Sequence, residues 1–576
     1  MKKILLSLFG TILLSTVGVA QKFEWNTGGT SGGSYHSSAS CTSQSGNTLI
    51  SGRYNSSMQI DTVSRTVPNY GQSYYICMLD STGGAQYFRN SNTEVKTLAL
   101  DDDNMYMGIG AYSIVLDGDS LKSDTVNARL LFAKFDAQMG MLWNKQIKPV
   151  NPSDQADMSC DAISIDPSGN VYVLCSSSSY LDIRLDTAQF NVNGRFLFKF
   201  DANGTMLFWR KLNFSGITLM TTDKQGNVWL SGKYNYNSYA SNQQVDFGNS
   251  VIVTNSTLTN NHYDLFTARY NSSGIAQWAR FTGGNYSTNN TYDIRGIIFD
   301  SNNNAIMQGS FWNKIIFFND TLTGNTTDQY SQNQFIAKFS ANGTYQWSKT
   351  IYDSLSLGTY INQITYGPED RMYIMGEYNY KGFFLGDTTF VPIGSSGSSD
   401  RYLACFDSTF KCVWYRYLQN GVPNNVTPNL SVIDNGDIYL TSASSNFKYG
   451  GVEENYGYYW FAEDSLSAGE TGGTPCVLKL SSDNSTIITG ITHNPQNPND
   501  LVVYPNPSTQ AIYINKPDAT NYQIEVDNAN GQIVKKYNKY DPSTGIVLSD
   551  LSKGIYFIHL VNIQDNSIIT RKIILQ

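Results

Sequence analysis

The chain has 576 residues, of which 15 % are charged, against about 25 % in an average soluble protein. Hydrophobic residues reach 40 % and aromatics 13 %, too apolar and too weakly charged for a disordered chain. A net charge of -8 with no run rich in Lys or Arg removes the electrostatic footprint of a nucleic-acid binder, so no nucleic-acid partner is expected.

The chain opens with Lys2 and Lys3, an apolar stretch Ile4–Leu14, and small side chains at Gly18 and Ala20. This is the layout of a secretory signal peptide, expected over residues 1–20, with Gln21 as the mature N-terminus. The competing reading is an uncleaved anchor, but the apolar stretch is short for a bilayer crossing of about 20 residues. No later window is long and apolar enough, so no transmembrane segment is expected after cleavage.

Two phrases then recur. One is a hairpin that runs from an aliphatic and basic strand to a Trp: Phe132–Asp136 to Trp143, Phe196–Asp201 to Trp209, Phe266–Asn271 to Trp278, Ile336–Ser340 to Trp347 and Leu403–Asp407 to Trp414. Its turns carry Asn and Gly, as in Asn203 and Gly204, residues that tolerate left-handed backbone. A weaker copy spans Ile76–Tyr87. The second phrase is an upstream hairpin: Ile165–Val173, Thr222–Leu230 and Ile433–Leu440, with related turns at Gly46, Asn104, Asn303 and Asp370. Two hairpins make a four-stranded antiparallel unit, and seven units fit between about residues 35 and 490. A lone unit leaves a face and two edges unsatisfied, which radial closure into a ring removes. The alternative is an open array of small sandwiches, which the short connections disfavour.

These residues resemble secreted bacterial proteins with seven-bladed β-propeller repeats. The fourth unit, from Val245 and Gly248 through Asp264–Arg269 to Gly283 and Gly284, matches the family's repeat phrase best. The resemblance implies a propeller over residues 21–490, with Phe23–Trp25 as the outer strand of the last blade. Ser485–Thr492 competes for that place.

A Pro- and Asn-rich linker at residues 491–500 marks a boundary. Strands are expected beyond it at Leu501–Tyr504, Ala511–Ile514, Tyr522–Val526, Ile533–Lys536, Gly545–Leu548, Gly554–Val561 and Ser567–Leu575. This is the spacing of a small Ig-like β-sandwich over residues 501–576, and the whole chain is therefore read as all-β. Tyr504, Pro505, Asn506 and Pro507, then Gly531, then Gly554, Tyr556 and Phe557, and Lys572 in the basic-aliphatic terminus resemble the C-terminal sorting domain of the type IX secretion system of Bacteroidota. That resemblance implies export through the periplasm, the type IX machinery as partner, and a secreted or outer-surface location.

Chemistry is sparse. The chain has 4 His, namely His36, His262, His493 and His559, no two of them close in sequence. No zinc-protease, serine-hydrolase or phosphate-loop phrase occurs, so no catalytic residue, cofactor or metal is expected. Asp101, Asp102 and Asp103, and Asp117 with Asp119, invite a calcium reading, but Asp, Asn and Gly are also what hairpin turns use. Of 7 Cys, two pairs flank hairpin turns, Cys160 with Cys175 and Cys405 with Cys412, and are disulfide candidates; buried thiols are the alternative. Aromatic clusters Tyr234 and Tyr236, Tyr378 and Tyr380, and Tyr458, Tyr459 and Trp460 fall in irregular inserts and are the candidate platforms for a glycan or protein ligand. Their alternative role is packing of the inserts on themselves. Recurrent pairs such as Asp61 with Thr62 and Asp320 with Thr321 resemble acceptors of periplasmic O-glycosylation. The functional expectation is a non-catalytic binding or adhesion scaffold at the cell surface. A hydrolase or lyase acting on polysaccharide or peptide is the alternative, and a structural coat component the third reading.

Overall fold

The computed structural model describes residues 21–482 and 502–575, apart from segments within each range that join or interrupt its strands. Apart from one 3-10 turn at Pro368–Asp370, the described secondary structure is entirely strand. Among the described residues no helix is long and apolar enough to cross a membrane. The chain divides into two compact units, one holding the described strands up to Ser482 and the other those from Val502.

The hairpins form for the reason the sequence suggests. In the turn that opens at Asp201, its N–H donates to the Thr205 carbonyl at 2.9 Å and the Gly204 N–H donates back to Asp201 at 3.0 Å. The Asp201 carboxylate meanwhile accepts the Asn203 and Thr205 N–H groups. Gly204 sits at φ 81°, a left-handed value that glycine adopts without strain. The same frame recurs at Asp80, Asp136, Asp166, Asp223, Asn271, Asp300, Ser340 and Asp407.

Seven blades result, each entered by an inner strand: Tyr35–Thr42, Thr97–Leu100, Met158–Ile165, Ile217–Thr222, Asp293–Phe299, Tyr360–Tyr366 and Asn429–Val432. Each inner strand neighbours the next, and the last returns to the first, so the ring is closed. Alternation along the strands sends successive side chains to opposite sides of a blade. Leu131, Ala133 and Phe135 pack toward blade 1, whereas Leu130 and Phe132 pack toward blade 3. Seven apolar layers follow, one in every gap between neighbouring blades.

The blades are larger than the repeat implies. In most of them the connection between second and third strands folds into a hairpin on the outer edge of the preceding blade. Ser113–Leu116 with Asp119–Lys122 extends blade 1, Lys314–Phe317 with Asp320–Thr323 extends blade 4, and Phe383–Leu385 with Thr388–Phe390 extends blade 5. The outer halves of Val171–Leu185 and Ala188–Phe200 do the same for blade 2. Most sheets are thus six-stranded. The excess arises because segments that look irregular in sequence, with short alternating runs, find an open edge to pair with.

The last blade is closed by the start of the chain. Gln21–Ser31 runs antiparallel to Thr474–Ser482, from Gln21 opposite Ser482 to Gly28 opposite Cys476, with an irregularity at Phe23 and Trp25. Its far end, Gly29–Ser31, pairs with Ser57–Ile60. Residues 485–492 lie outside the described residues.

Neighbouring blades are also clasped. Trp143 and Lys134 of blade 2 both donate to the Ala202 carbonyl in the turn of blade 3, at 3.1 and 3.2 Å. Trp278 of blade 4 donates to Ala341 in blade 5 at 3.3 Å. A Cβ placed on Gly343 would lie 2.8 Å from the Trp278 ring, and one on Gly204 would lie 2.9 Å from Trp143. The repeating Trp and the Gly of the following turn are therefore two halves of one contact. In blade 6 Phe410 takes the glycine's place at φ 66° and packs its own ring on Trp347, centroids 5.5 Å apart.

The second unit has a three-stranded sheet, Val502–Tyr504, Ala511–Asn515 and Ile546–Val547, and a four-stranded one ordered Ile533–Tyr537, Tyr522–Asn528, Gly554–Asn562 and Ile568–Leu575. Ile512, Ile514, Ile524, Val526, Ile558 and Ile573 fill one core between them, which makes it a sandwich. Tyr556 is buried with its hydroxyl on the Ser552 carbonyl at 2.8 Å.

Two outcomes test these contacts. Deleting residues 21–31 should abolish hydrogen-exchange protection of the amides in Thr474–Ser482 while leaving those of Val228–Tyr234 protected. Gly343→Ala combines a left-handed backbone with a collision on Trp278 and should destabilise the ring by about 2–4 kcal/mol, read as a lower urea midpoint.

Candidate functional site

The two ends of the ring are built differently. At one end lie the tight turns within the hairpins. At the other lie the connections between second and third strands and from blade to blade.

The turn end holds a repeated buried ion pair. The acid that frames the first turn of a blade meets the basic residue of the third strand: Asp166 with Lys199 at 3.2 Å, Asp223 with Arg269 at 3.2 Å, Asp300 with Lys338 at 2.8 Å and Asp437 with Lys479 at 3.1 Å. An aromatic side chain completes several of these sets. Lys199 lies 4.6 Å over the Tyr172 ring, and the Trp229 indole donates to Asp223 at 3.1 Å. The Asp223 side chain is 0 % exposed. Its burial pushes the carboxyl upward, but hydrogen bonds from Asn227, Trp229 and Gln225 outweigh that and hold it below the usual range. Asp300 is lowered in the same way, with burial opposed by Lys338 and Asn304. The charged groups pair with one another inside the ring, so they are framework. Asp101, one of the calcium candidates, accepts from the Asn104 N–H and side chain and from the Tyr106 hydroxyl; Asp102, Asp103 and Asp117 lie outside the described residues. Among the described residues no group of His, Cys, Asp and Glu is arranged to hold a metal.

The opposite end is where polar groups on the inner strands reach solvent. In five blades the inner strand skips one residue in its pairing with the second strand: Ser38, Asp161, Thr218, Arg295 and Asn362. Each is a β-bulge, which bends a strand and re-aims a side chain, a device often found beside functional sites. Asp161, Thr218 and Arg295 are exposed, and Asn362 is half-buried. They occupy equivalent places on consecutive inner strands of blades 3 to 6.

Three acid-base groups surround these bulges. Asp161 pairs with Arg195 and accepts from Ser159 and Ser176. Asp293 lies 3.8 Å from Lys233 and 3.7 Å from Arg295. Glu377 accepts from Asn362 at 2.9 Å and from Arg401 at 3.0 Å. Burial also lowers the Arg195 guanidinium. Bonds between neighbouring blades hold the inner strands in fixed relation. Thr97 donates to the Cys160 carbonyl, Ser164 and Thr222 share a bond of 2.8 Å, and Gln308 donates to the Ile361 carbonyl at 2.9 Å.

Two of the aromatic candidates leave from this same end. Tyr234 closes the second strand of blade 4 opposite Asp264 and packs edge-on against Phe281, centroids 5.9 Å apart. Tyr378 closes the second strand of blade 6 opposite Asp400. Tyr236, Tyr380, Tyr458, Tyr459 and Trp460 lie outside the described residues. Sequence reasoning missed the bulges; in blades 3 to 6 the bulged residue is a polar one that follows an apolar one, as Arg295 follows Ile294, a pattern that ordinary exposed strand positions share.

The cysteine pairs differ. Cys160 and Cys175 are direct partners in register, whereas Cys405 pairs with Trp414 and Cys412 with Phe406. Cys405 belongs to the layer facing blade 7 and Cys412 packs against the layer facing blade 5, because a register shift follows Cys405. All four are thiols here. Burial pushes the Cys405 thiol up to about 12. Of the histidines, His559 lies in the second unit 3.4 Å from Asp527, His36 pairs with Arg53 in blade 1, and His262 and His493 lie outside the described residues. In the second unit the backbone of Phe557 pairs with Lys572, and Gly554 with Leu575; Pro505, Asn506, Pro507 and Gly531 are outside the described residues.

Comparison with known proteins adds one firm assignment. Residues 502–576 match the secretion system C-terminal sorting domain. No curated protein matches the chain. Among solved structures, BamB from Moraxella catarrhalis is similar at 11 % identity and a TM-score of 0.31, over 73 % of this chain and 96 % of that one. PorZ, a surface component of the type-IX secretion system of Porphyromonas gingivalis, is similar at 9 % identity and a TM-score of 0.16, over 95 % of this chain and 99 % of that one. Such loose superpositions carry no argument, and the fold rests on the strand order.

The depressed carboxyls at the turn end give a pH dependence with a definite sign. A folded-state value below the unfolded one contributes stability that is present above the unfolded value, near 4, and is lost as pH falls through the folded one. The melting temperature should therefore drop below about pH 4, and the drop should be shallower in Asp223→Asn, whose neutral side chain no longer titrates.

Proposed function

We propose that the ring is a non-catalytic recognition scaffold that presents its bulge-bearing end to a glycan or protein ligand outside the cell. The C-terminal sorting domain directs the chain through type IX secretion to the surface or the medium, and residues 1–20 are the signal peptide for the first step of that route. The observation that carries the reading is the set of inner-strand bulges at Asp161, Thr218, Arg295 and Asn362, which leaves exposed polar and charged side chains on a rigid ring. Tyr234 and Tyr378 leave the same end, with Tyr236 and Tyr380 two residues further along the chain; Tyr458, Tyr459 and Trp460 remain candidates from sequence. Hydrogen-bonding groups beside aromatic faces suit a hydroxyl-rich or peptide ligand. Fold alone would not support the assignment; the contrast between buried ion pairs at the turn end and exposed polar side chains on the bulges does.

The test is a glycan-array and pull-down screen with the full exported protein and surface polysaccharides, host glycans and extracellular proteins. Saturable binding should weaken at least about tenfold, roughly 1.4 kcal/mol, in Asp161→Asn or Arg295→Gln. Asn203→Ala, at the turn end, should bind like the parent. Shortening of a glycan during incubation would replace this reading with a hydrolase or lyase, and neither binding nor cleavage would favour a structural coat.

A further inference from the structure

We propose that Cys160 and Cys175 are joined as a disulfide in the exported protein, stapling the inner hairpin of blade 3 next to the bulge that carries Asp161. The two residues are Cα partners on adjacent antiparallel strands, and the register breaks immediately after Cys160. Directly opposed residues in such a ladder have Cα atoms about 4.5–5.5 Å apart, inside the span a disulfide bridges. As direct partners their side chains leave the same face of the hairpin. Among the described pairings they are the one pair of cysteines in register.

The surroundings make room for the bond. Cys175 is fully buried and Cys160 half-buried, both in the layer between blades 2 and 3. A Cβ on Gly108 of blade 2 would lie 2.3 Å from the Cys160 sulfur, so glycine at that point is what leaves the sulfur its place. The sorting domain sends the chain out of the cytoplasm, into compartments where disulfides persist.

The chemistry balances by exchange. One thiolate attacks the disulfide of a thiol–disulfide oxidoreductase, the second displaces it, and the chain gives up two protons and two electrons while the oxidant becomes a dithiol. Burial pushes the Cys175 thiol well above its usual value, so thiolate is scarce once the layer is sealed and the exchange precedes docking of blade 3 on blade 2. The bond then holds Ser159, Asp161 and Ser176 at fixed spacing, independently of whichever ligand the ring recognises.

The test uses full-length protein recovered from the medium or cell surface, denatured and alkylated without reductant. No Lys or Arg separates the two cysteines, so cleavage must be at Asp161 and Asp166. The expected result is a linked pair of peptides spanning Cys160 and Cys175, lighter by two hydrogens and resistant to alkylation until reduced. Alkylation of both residues without reductant, or linkage of either to another cysteine, overturns the proposal. As a second readout, reductant should lower the melting temperature of the parent and leave that of the Cys160→Ala, Cys175→Ala double variant unchanged; an equal drop in both would count against the bond. Peptide mapping decides the matter alone if the double variant does not fold.

Discussion

Everything in the ring depends on the fact that each blade has two apolar faces. A sheet with one apolar face can end a stack, but Leu131 and Phe135 on one side and Leu130 and Phe132 on the other require a neighbour on both. Only a closed circle provides that for every member, and the apolar layers between blades are accordingly as many as the blades. Burial of those layers is the main favourable term, yet it has no preferred angle or distance. Register between blades comes from the directional contacts: Trp143 and Lys134 on the Ala202 carbonyl, and Trp278 on Ala341. Apolar packing makes the ring favourable, and these bonds make it one ring rather than a sliding family.

Charge is distributed to match. Buried ions are costly unless paired and hydrogen-bonded, and the pairs at the turn end meet that condition in full, with Asp223 held by a guanidinium, an indole and backbone N–H groups. The bulge end spends its polar groups differently. Arg295 and Asp161 are exposed, anchored on one side by a partner and open on the other. The ion pairs of the turn end offer a ligand little to exchange, because their charged groups already hold one another.

The blade repeat was legible because its signals are local and strong. An acid, then Gly or Asn, then an alternating strand encodes a turn whose hydrogen bonds lie within a few residues, and Trp143, Trp209, Trp278 and Trp347 mark the period. The sandwich strands, such as Tyr522–Asn528 and Gly554–Asn562, were readable for the same reason. The donated outer hairpins were not, since Ser113–Leu116 reads as an isolated short run until blade 1 supplies an edge for it. The bulges were equally hidden: nothing in Arg295 or Thr218 distinguishes an unpaired strand residue from an ordinary exposed one. Nor could spacing separate the cysteine pairs. Both flank a hairpin turn, but the register shift after Cys405 sends its partner to the other face, and a shift is a property of the paired strands rather than of either one.

The closing strand has a consequence for the order of events. Blade 7 combines Gln21–Ser31 with Thr474–Ser482, so the sheet that completes the circle joins segments separated by nearly the whole length of the ring. Such non-local pairing is slow to form, and until it forms the edge of Thr474–Ser482 is open to other chains. The sorting domain follows that strand in the chain. A polypeptide made from its N-terminus therefore displays the address for the outer membrane only after every residue needed to shut the circle has been synthesised, and chain order alone biases the transporter toward cargo that is able to be finished.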